Sequence, residues 1–248
     1  MATIAYNHSN IEDEFQELQS VYRSSRVSLG KRKGQSIISG FLSFHAGIDG
    51  GEDIADSYNI KIVVPKNYPL SLPVVWEISG RIPKDFHHYQ DNSLCLLTPL
   101  RLRLAFNKRP NMLGFVENCL VPYLYQFSHK QKHGYLPIGE AHHGAPGILE
   151  DYLEELNVRK LEQVVNLLRS LAYPDTSSVT DCPCYSGKQF EQCHGPKLTD
   201  LASIQSPVEF KKDYLTLYFL MEMRKKNDKV LQAVEEYVSS LNIKTFQR

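Results

Sequence analysis

Residues 182–194 read Cys-Pro-Cys-Tyr-Ser-Gly-Lys-Gln-Phe-Glu-Gln-Cys-His, which sets four metal-capable side chains, Cys182, Cys184, Cys193 and His194, within thirteen positions. Zinc takes four thiolate or imidazole donors in a tetrahedron, with bonds of about 2.3 Å to sulfur and about 2.0–2.1 Å to nitrogen. Cys-x-Cys supplies two donors from one turn and the adjacent Cys-His pair supplies two from a second. Protein would then fill every position, which makes a structural Zn2+ site rather than a catalytic one. A segment this short buries no core of its own, so the metal would supply its folding energy. The alternative is a set of unligated surface thiols. The other two of the five cysteines, Cys95 and Cys119, stand alone. That is a metal site plus free thiols, not a disulfide framework, and it fits a reducing cytoplasm.

The totals exclude several classes. Lys+Arg and Asp+Glu are both 28 in 248 residues, which argues against strong nonspecific attraction to nucleic acid or to a membrane surface. No apolar stretch approaches the roughly 20 residues that span a bilayer. The opening MATIAYNHSN lacks a basic segment followed by an apolar run, so no secretory signal is expected.

Read in order, Ser9 and Glu12 form a candidate capping box, and Ile11, Phe15, Leu18 and Tyr22 share a helical face, predicting a helix over about 10–24. The basic stretch 30–34 reads as a loop. Alternation over 36–45, 58–64 and 74–78 predicts three antiparallel strands, with a hairpin loop at 47–53. A basic connection carries Arg101, Arg103, Lys108 and Arg109. Met112 to Leu124 follows helical spacing, with Pro122 marking a kink or a boundary. The segment 149–168 reads as one broken helix or two, and 173–179 as a linker. Ser206-Pro207-Val208-Glu209 opens a helix over about 207–226, followed by another over 229–241.

The stretch 65–97 is the most information-rich. Prolines at 69 and 73 lead into Val74-Val75-Trp76. A polar loop with His87 and His88 leads on to Leu94-Cys95-Leu96-Leu97. A lone cysteine between leucines reads either as a buried small hydrophobe or, with a histidine folded back beside it, as a nucleophile. Cys119, on an apolar helical face, reads as core.

Two resemblances bear on these residues. Residues 180–197 resemble the SEC-C motif, the small zinc knuckle at the C-terminus of the SecA translocase and of many bacterial proteins. This implies zinc and a docking surface for a partner. Tyr68-Pro69 through Trp76 resembles the Tyr-Pro…Pro-x-Val-x-Phe stretch of ubiquitin-conjugating enzymes. Asp91-Asn92-Ser93-Leu94-Cys95-Leu96 resembles the segment around their thioester cysteine. The two segments keep the family's spacing within a couple of residues, and the likeness covers roughly 8–128. Departures stand beside it. Asp85-Phe86-His87 lies where the family has His-Pro-Asn, and the tryptophan usual after the cysteine is missing. Histidine in this loop is more like the bacterial relatives, including those of antiviral defence operons.

The resemblance implies an α+β fold: a UBC-like antiparallel β-meander with flanking helices, then the zinc knuckle and C-terminal helices. The division it suggests is 1–145 for the conjugating domain, 146–175 for supporting helices, 176–198 for the knuckle and 199–248 for a helical tail. It implies a cysteine acyltransferase. Cys95 would form a thioester with the C-terminus of a modifier or target protein and pass the acyl group to an amine. His87 or His88 would take the amine proton or donate to the oxyanion. His142 and His143 would cap the site from a later loop, unless they are solvated loop histidines. No nucleotide-binding glycine motif occurs, so a separate activating enzyme is an expected partner. The final Thr245-Phe246-Gln247-Arg248 lacks a diglycine, so a carrier is expected, not a ubiquitin-like modifier. The alternatives are a catalytically inactive adaptor of the same fold and a zinc-stabilised interaction module.

Overall fold

The computed structural model of the chain describes residues 10–48, 51–139, 142, 144–174 and 181–226. They fall into two compact units. One runs up to residue 143 and takes in Ser203–Ser206; the other comprises Gly144–Ala202 and the chain from Pro207 on. The fold is mixed α+β. No helix among the described residues is long and apolar enough to cross a membrane.

The first unit opens with α1 (Ile11–Val21), whose N-terminus is capped by Asn10: the side chain accepts the Glu12 N–H at 3.4 Å. The Ser9 half of the expected capping box lies outside the described residues. Phe15 and Leu18 bury the apolar face. Then β1 (Arg26–Arg32), β2 (Gln35–Ala46), β3 (Ile54–Val64) and β4 (Val74–Glu77) form one antiparallel sheet in sequence order. β1 corrects the expected loop at 30–34. Arg26 to Arg32 pair in register with Phe41 to Gln35, and the chain turns only at Lys33-Gly34. The strand is hard to read because it is an edge: Val27 is buried and Leu29 half-buried, while basic side chains dominate the rest. Gly40 permits this pairing. Its φ is +131°, and a Cβ there would stand 2.1 Å from the Arg26 carbonyl oxygen.

Alternation on β2 and β3 sends Ile38, Leu42, Phe44, Tyr58, Ile60, Ile62 and Val64 to one face, all buried. They pack with Val116, Leu120, Leu124 and Phe127 in one core cluster. The basic connection 101–109 is also a correction: it contains α2 (Pro99–Asn107), with Pro at the first helical turn. Arg103 is only 2% exposed, and its guanidinium donates to the Pro69 and Leu70 carbonyls at 2.9 and 2.6 Å. Part of the apparent basic patch therefore braces the proline turn. After α3 (Met112–Phe115) comes a wider turn at Val116–Leu120, where the Val121 N–H reaches back five residues to the Val116 carbonyl. α4 (Val121–His133) follows, ending at left-handed Gly134. Pro122 explains the widening: it has no N–H, and its ring would clash with the carbonyl four residues back in an ordinary α-turn.

A polar relay ties β3 to α4. The Tyr58 hydroxyl donates to Ser128 Oγ at 2.7 Å, and Ser128 donates to Asp56 at 2.7 Å. Both Arg81 terminal nitrogens donate to the two Asp56 carboxylate oxygens at 2.7 Å. Burial alone would push Asp56 up, but Arg81, Ser128 and the Ser57 N–H outweigh it and hold the carboxyl at about 2.

In the second unit, α5 (Gly144–Glu155) and α6 (Leu161–Ala172) are separate helices, followed after the knuckle by α7 (Gly195–Ile204), all but its last two residues, and by α8 (Pro207–Lys226). Tyr152, Val164, Leu167, Leu168, Phe210 and Leu217 are fully buried. The Tyr152 hydroxyl donates to Asp213 at 2.8 Å. Most of the expected linker, 175–179, and the helix over 229–241 lie outside the described residues.

Candidate active site and metal centre

Cys95 sits on a short hairpin between β4 and α2. Asp91 makes the turn: its carboxylate accepts both the N–H and the hydroxyl of Ser93, at 3.0 and 2.5 Å, and these bonds hold it below the usual carboxylate range. Asn92 takes the left-handed conformation (φ 61°), which a short amide side chain tolerates. His88 and Leu94 pair as an antiparallel bridge. On either side of it, the Tyr89 N–H donates to the Ser93 carbonyl at 2.9 Å and the Cys95 N–H donates to the His87 carbonyl at 2.8 Å. The Leu94 N–H, bonded to Val75 at 2.8 Å, ties this hairpin to β4. The Trp76 indole N–H reaches the Asp91 carbonyl at 3.3 Å.

This register sorts the candidate residues. Side chains alternate across an antiparallel pair. His88 shares a side with buried Leu94, whereas Tyr89 and Cys95 lie on the other side. The His88 ring is turned onto its own backbone: Nδ1 lies 2.8 Å from the Phe86 carbonyl, which can only accept, so Nδ1 carries the proton. His87 adopts φ 47° and stands across from Cys95 through the backbone, its ring edge-on to Phe86 at 4.5 Å. His142 is exposed, and Glu140, Ala141 and His143 lie outside the described residues.

Cys95 is half-buried, and burial raises its thiol above the ordinary value, with a hydrogen bond to Tyr89 acting in the opposite direction. Cys119 is 1% exposed and its thiol is pushed up to about 12 by burial, as expected of a core residue. One supporting residue escapes a reading by sequence. Tyr123 on α4 is buried, and its hydroxyl donates to the Phe86 carbonyl at 3.0 Å and the His87 carbonyl at 3.3 Å. Burial, with Cys95 and other acidic groups nearby, raises the Tyr123 hydroxyl, so it remains a neutral donor at working pH.

In the second unit, Cys182, Cys184, Cys193 and His194 converge, with all four donor atoms within 4.8 Å of one another. The Cys184 and Cys193 sulfurs are 3.7 Å apart, and His194 Nδ1 lies 3.2 Å from the Cys182 and Cys193 sulfurs. A tetrahedron with metal–sulfur bonds of about 2.3 Å has sulfur–sulfur edges of about 3.8 Å, so the cluster is close to coordination size. Two turns build it: Cys182 N–H to Lys188 carbonyl at 2.8 Å closes the first, through left-handed Tyr185 and Gly187, and Cys193 N–H to Phe190 carbonyl at 3.1 Å forms the second.

The histidine is set for ligation. His194 Nε2 donates to the Leu156 carbonyl at 2.9 Å, which leaves the Nδ1 lone pair facing the three sulfurs. From α6, Gln163 donates to the Cys184 carbonyl and Asn166 to the Tyr185 hydroxyl, each at 2.8 Å. Burial pushes the Cys182 thiol up to about 11. Cys184 feels burial too, but hydrogen bonds with Ser186 and Cys182 outweigh it and hold that thiol at about 6. The donor set, its spacing and the histidine tautomer all suit a metal ion. Comparison of the sequence with protein-family models and with curated proteins found no match.

Proposed function

We propose that the chain is a ubiquitin-conjugating-like acyl carrier, with Cys95 as the thioester nucleophile. The observation that carries this reading is the setting of Cys95: a half-buried thiol on a clamped hairpin, on the side opposite Leu94, between β4 and α2. The order of helix, antiparallel meander, Tyr-Pro turn, cysteine hairpin and helix supports it, as does the resemblance of 68–76 and 91–96 to that family. Loading would be a thioester exchange from an activating enzyme carrying a modifier or target protein, and discharge would be attack by an acceptor amine. A raised thiol makes the sulfur a poorer leaving group, which slows loss of the acyl group to water and to amines alike. Of the histidines, His87 is favoured for the amine proton because its backbone pairs directly with Cys95 across the hairpin, whereas the His88 ring is held on the Phe86 carbonyl. The resemblance to bacterial relatives also carries the proposal of a role in antiviral defence.

The ion proposed for the second unit is a structural Zn2+ held by Cys182, Cys184, Cys193 and His194. Three thiolates and an imidazole fill a tetrahedron and match zinc's preferred donors. Bound there, it would hold the two turns together and present a docking surface to a protein partner.

The same raised thiol favours a second reading, an inactive adaptor, since little thiolate exists at neutral pH. Conjugation by the intact native system, assayed with Cys95→Ala in place of wild type, separates the two. Loss of conjugates is expected for a carrier, and an unchanged pattern removes that reading.

A further inference from the structure

We propose that the Tyr89 hydroxyl is a catalytic donor to the Cys95 sulfur, stabilising the thiolate as an acyl group arrives and departs; this rests on the carrier reading above. Two bonds flanking the His88–Leu94 bridge set the geometry: Tyr89 N–H to Ser93 and Cys95 N–H to His87. Leu94, 3% exposed, points into the core. Tyr89 and Cys95 therefore share the side opposite Leu94 as diagonal cross-strand neighbours, a separation of about 7–8 Å that an aromatic side chain spans. Tyr89 is 49% exposed, and on that side its hydroxyl is in reach of the Cys95 sulfur, whose thiol it lowers against the effect of burial.

The chemistry uses that donor twice. In loading, the Cys95 thiolate attacks the carbonyl carbon of the incoming thioester. The new carbon–sulfur bond forms, the donor's breaks, and the donor sulfur leaves as thiolate. In discharge, an acceptor amine attacks the same carbon, its nitrogen–carbon bond forms, and the amine proton passes to the base, His87 in the carrier reading. The carbon–sulfur bond to Cys95 breaks and its electron pair returns to the Cys95 sulfur. The sulfur is anionic at the start of the first step and at the end of the second, when an O–H donor is worth most. Burial raises the Cys95 thiol, and the Tyr89 bond pulls it back.

The test is the pH profile of Cys95 alkylation by iodoacetamide. It is followed by peptide mass spectrometry so that the five cysteines are resolved, on the full metal-loaded chain and on Tyr89→Phe. Loss of the donor is expected to raise the alkylation midpoint by about one pH unit. The thiolate fraction at pH 7.5 then falls about tenfold while its intrinsic nucleophilicity rises about threefold, so alkylation slows about three- to fourfold. A merely structural role moves the midpoint the other way, because loosened packing admits water and lowers a buried thiol. An unchanged or lowered midpoint overturns the proposal. The same variant and wild type, recovered from the native host, are then compared for a covalent adduct on Cys95. A raised midpoint with no adduct on wild type leaves the hydrogen bond standing and removes the carrier reading, and with it the catalytic role. An adduct with an unmoved midpoint does the reverse.

Discussion

Tyr123→Phe removes one oxygen from beneath the Cys95 hairpin, and its cost follows from what else its partners hold. The hydroxyl donates to two carbonyls, Phe86 at 3.0 Å and His87 at 3.3 Å. Neither is stranded by the change. The Phe86 oxygen still accepts from His88 Nδ1 at 2.8 Å, and the His87 oxygen still accepts the Cys95 N–H at 2.8 Å. The ring remains in the core, where Tyr123 is 4% exposed. The loss is therefore that of one net hydrogen bond, about 1 kcal/mol, and not the roughly 1–3 kcal/mol of a buried group left without a partner. The single tryptophan, Trp76 on β4, reports the unfolding of this unit by fluorescence. With a urea slope of about 2 kcal/mol per molar, the midpoint falls by about 0.5 M. A loss above about 3 kcal/mol means the carbonyls depend on Tyr123 alone, and an unchanged midpoint means the hydroxyl makes no bond; either result refutes the reasoning.

Acid sensitivity should centre on Asp56. Its folded value near 2 lies below the ordinary 3.8, so its contribution is complete above about pH 4 and is lost as pH falls toward 2. The gap corresponds to about 2.4 kcal/mol, which we halve to about 1 because Arg81 is 35% solvent-exposed. Asp56→Asn is expected to lose that amount at pH 7 but little at pH 2.5 by urea unfolding, and equal losses at both pH values would contradict the pairing with Arg81. The metal site should bind about one zinc per chain by atomic emission, fall well below that in Cys193→Ser, and release protons on loading as thiols give way to metal. Removing the metal should shift the second unit's proteolysis pattern around 181–195, and unchanged cleavage would mean the turns hold without an ion.

The two sites were legible to different depths, for physical reasons. The four ligands of the knuckle lie within one short segment, so their convergence is a local matter of two turns. What orients His194 is the backbone of Leu156, 38 positions earlier, and a carbonyl leaves no mark on residue type. Cys95 stood out through flanking residues, while the turn that Asp91 and Asn92 make read only as part of a polar loop. The hairpin register, which separates His87 from His88 and brings Tyr89 to Cys95, depends on which residues pair across that turn. Tyr89 was within reach of a reading that paired the residues on either side of Asp91-Asn92; Tyr123 was not, since it arrives from α4. β1 was missed because three of its seven residues are basic and only Val27 is buried. The helical character of α2 was hidden because Arg103 reads as surface while its charge is spent on two carbonyls.

The most direct measurement is intact-protein mass spectrometry of Cys95→Ser and wild type, each isolated from the native host with neighbouring genes expressed and metal bound. A serine would hold an acyl partner as the more durable oxyester. Acyl carriage predicts a discrete added mass that reductant removes from wild type and leaves on the variant. No adduct on either protein would contradict the carrier and leave the adaptor standing.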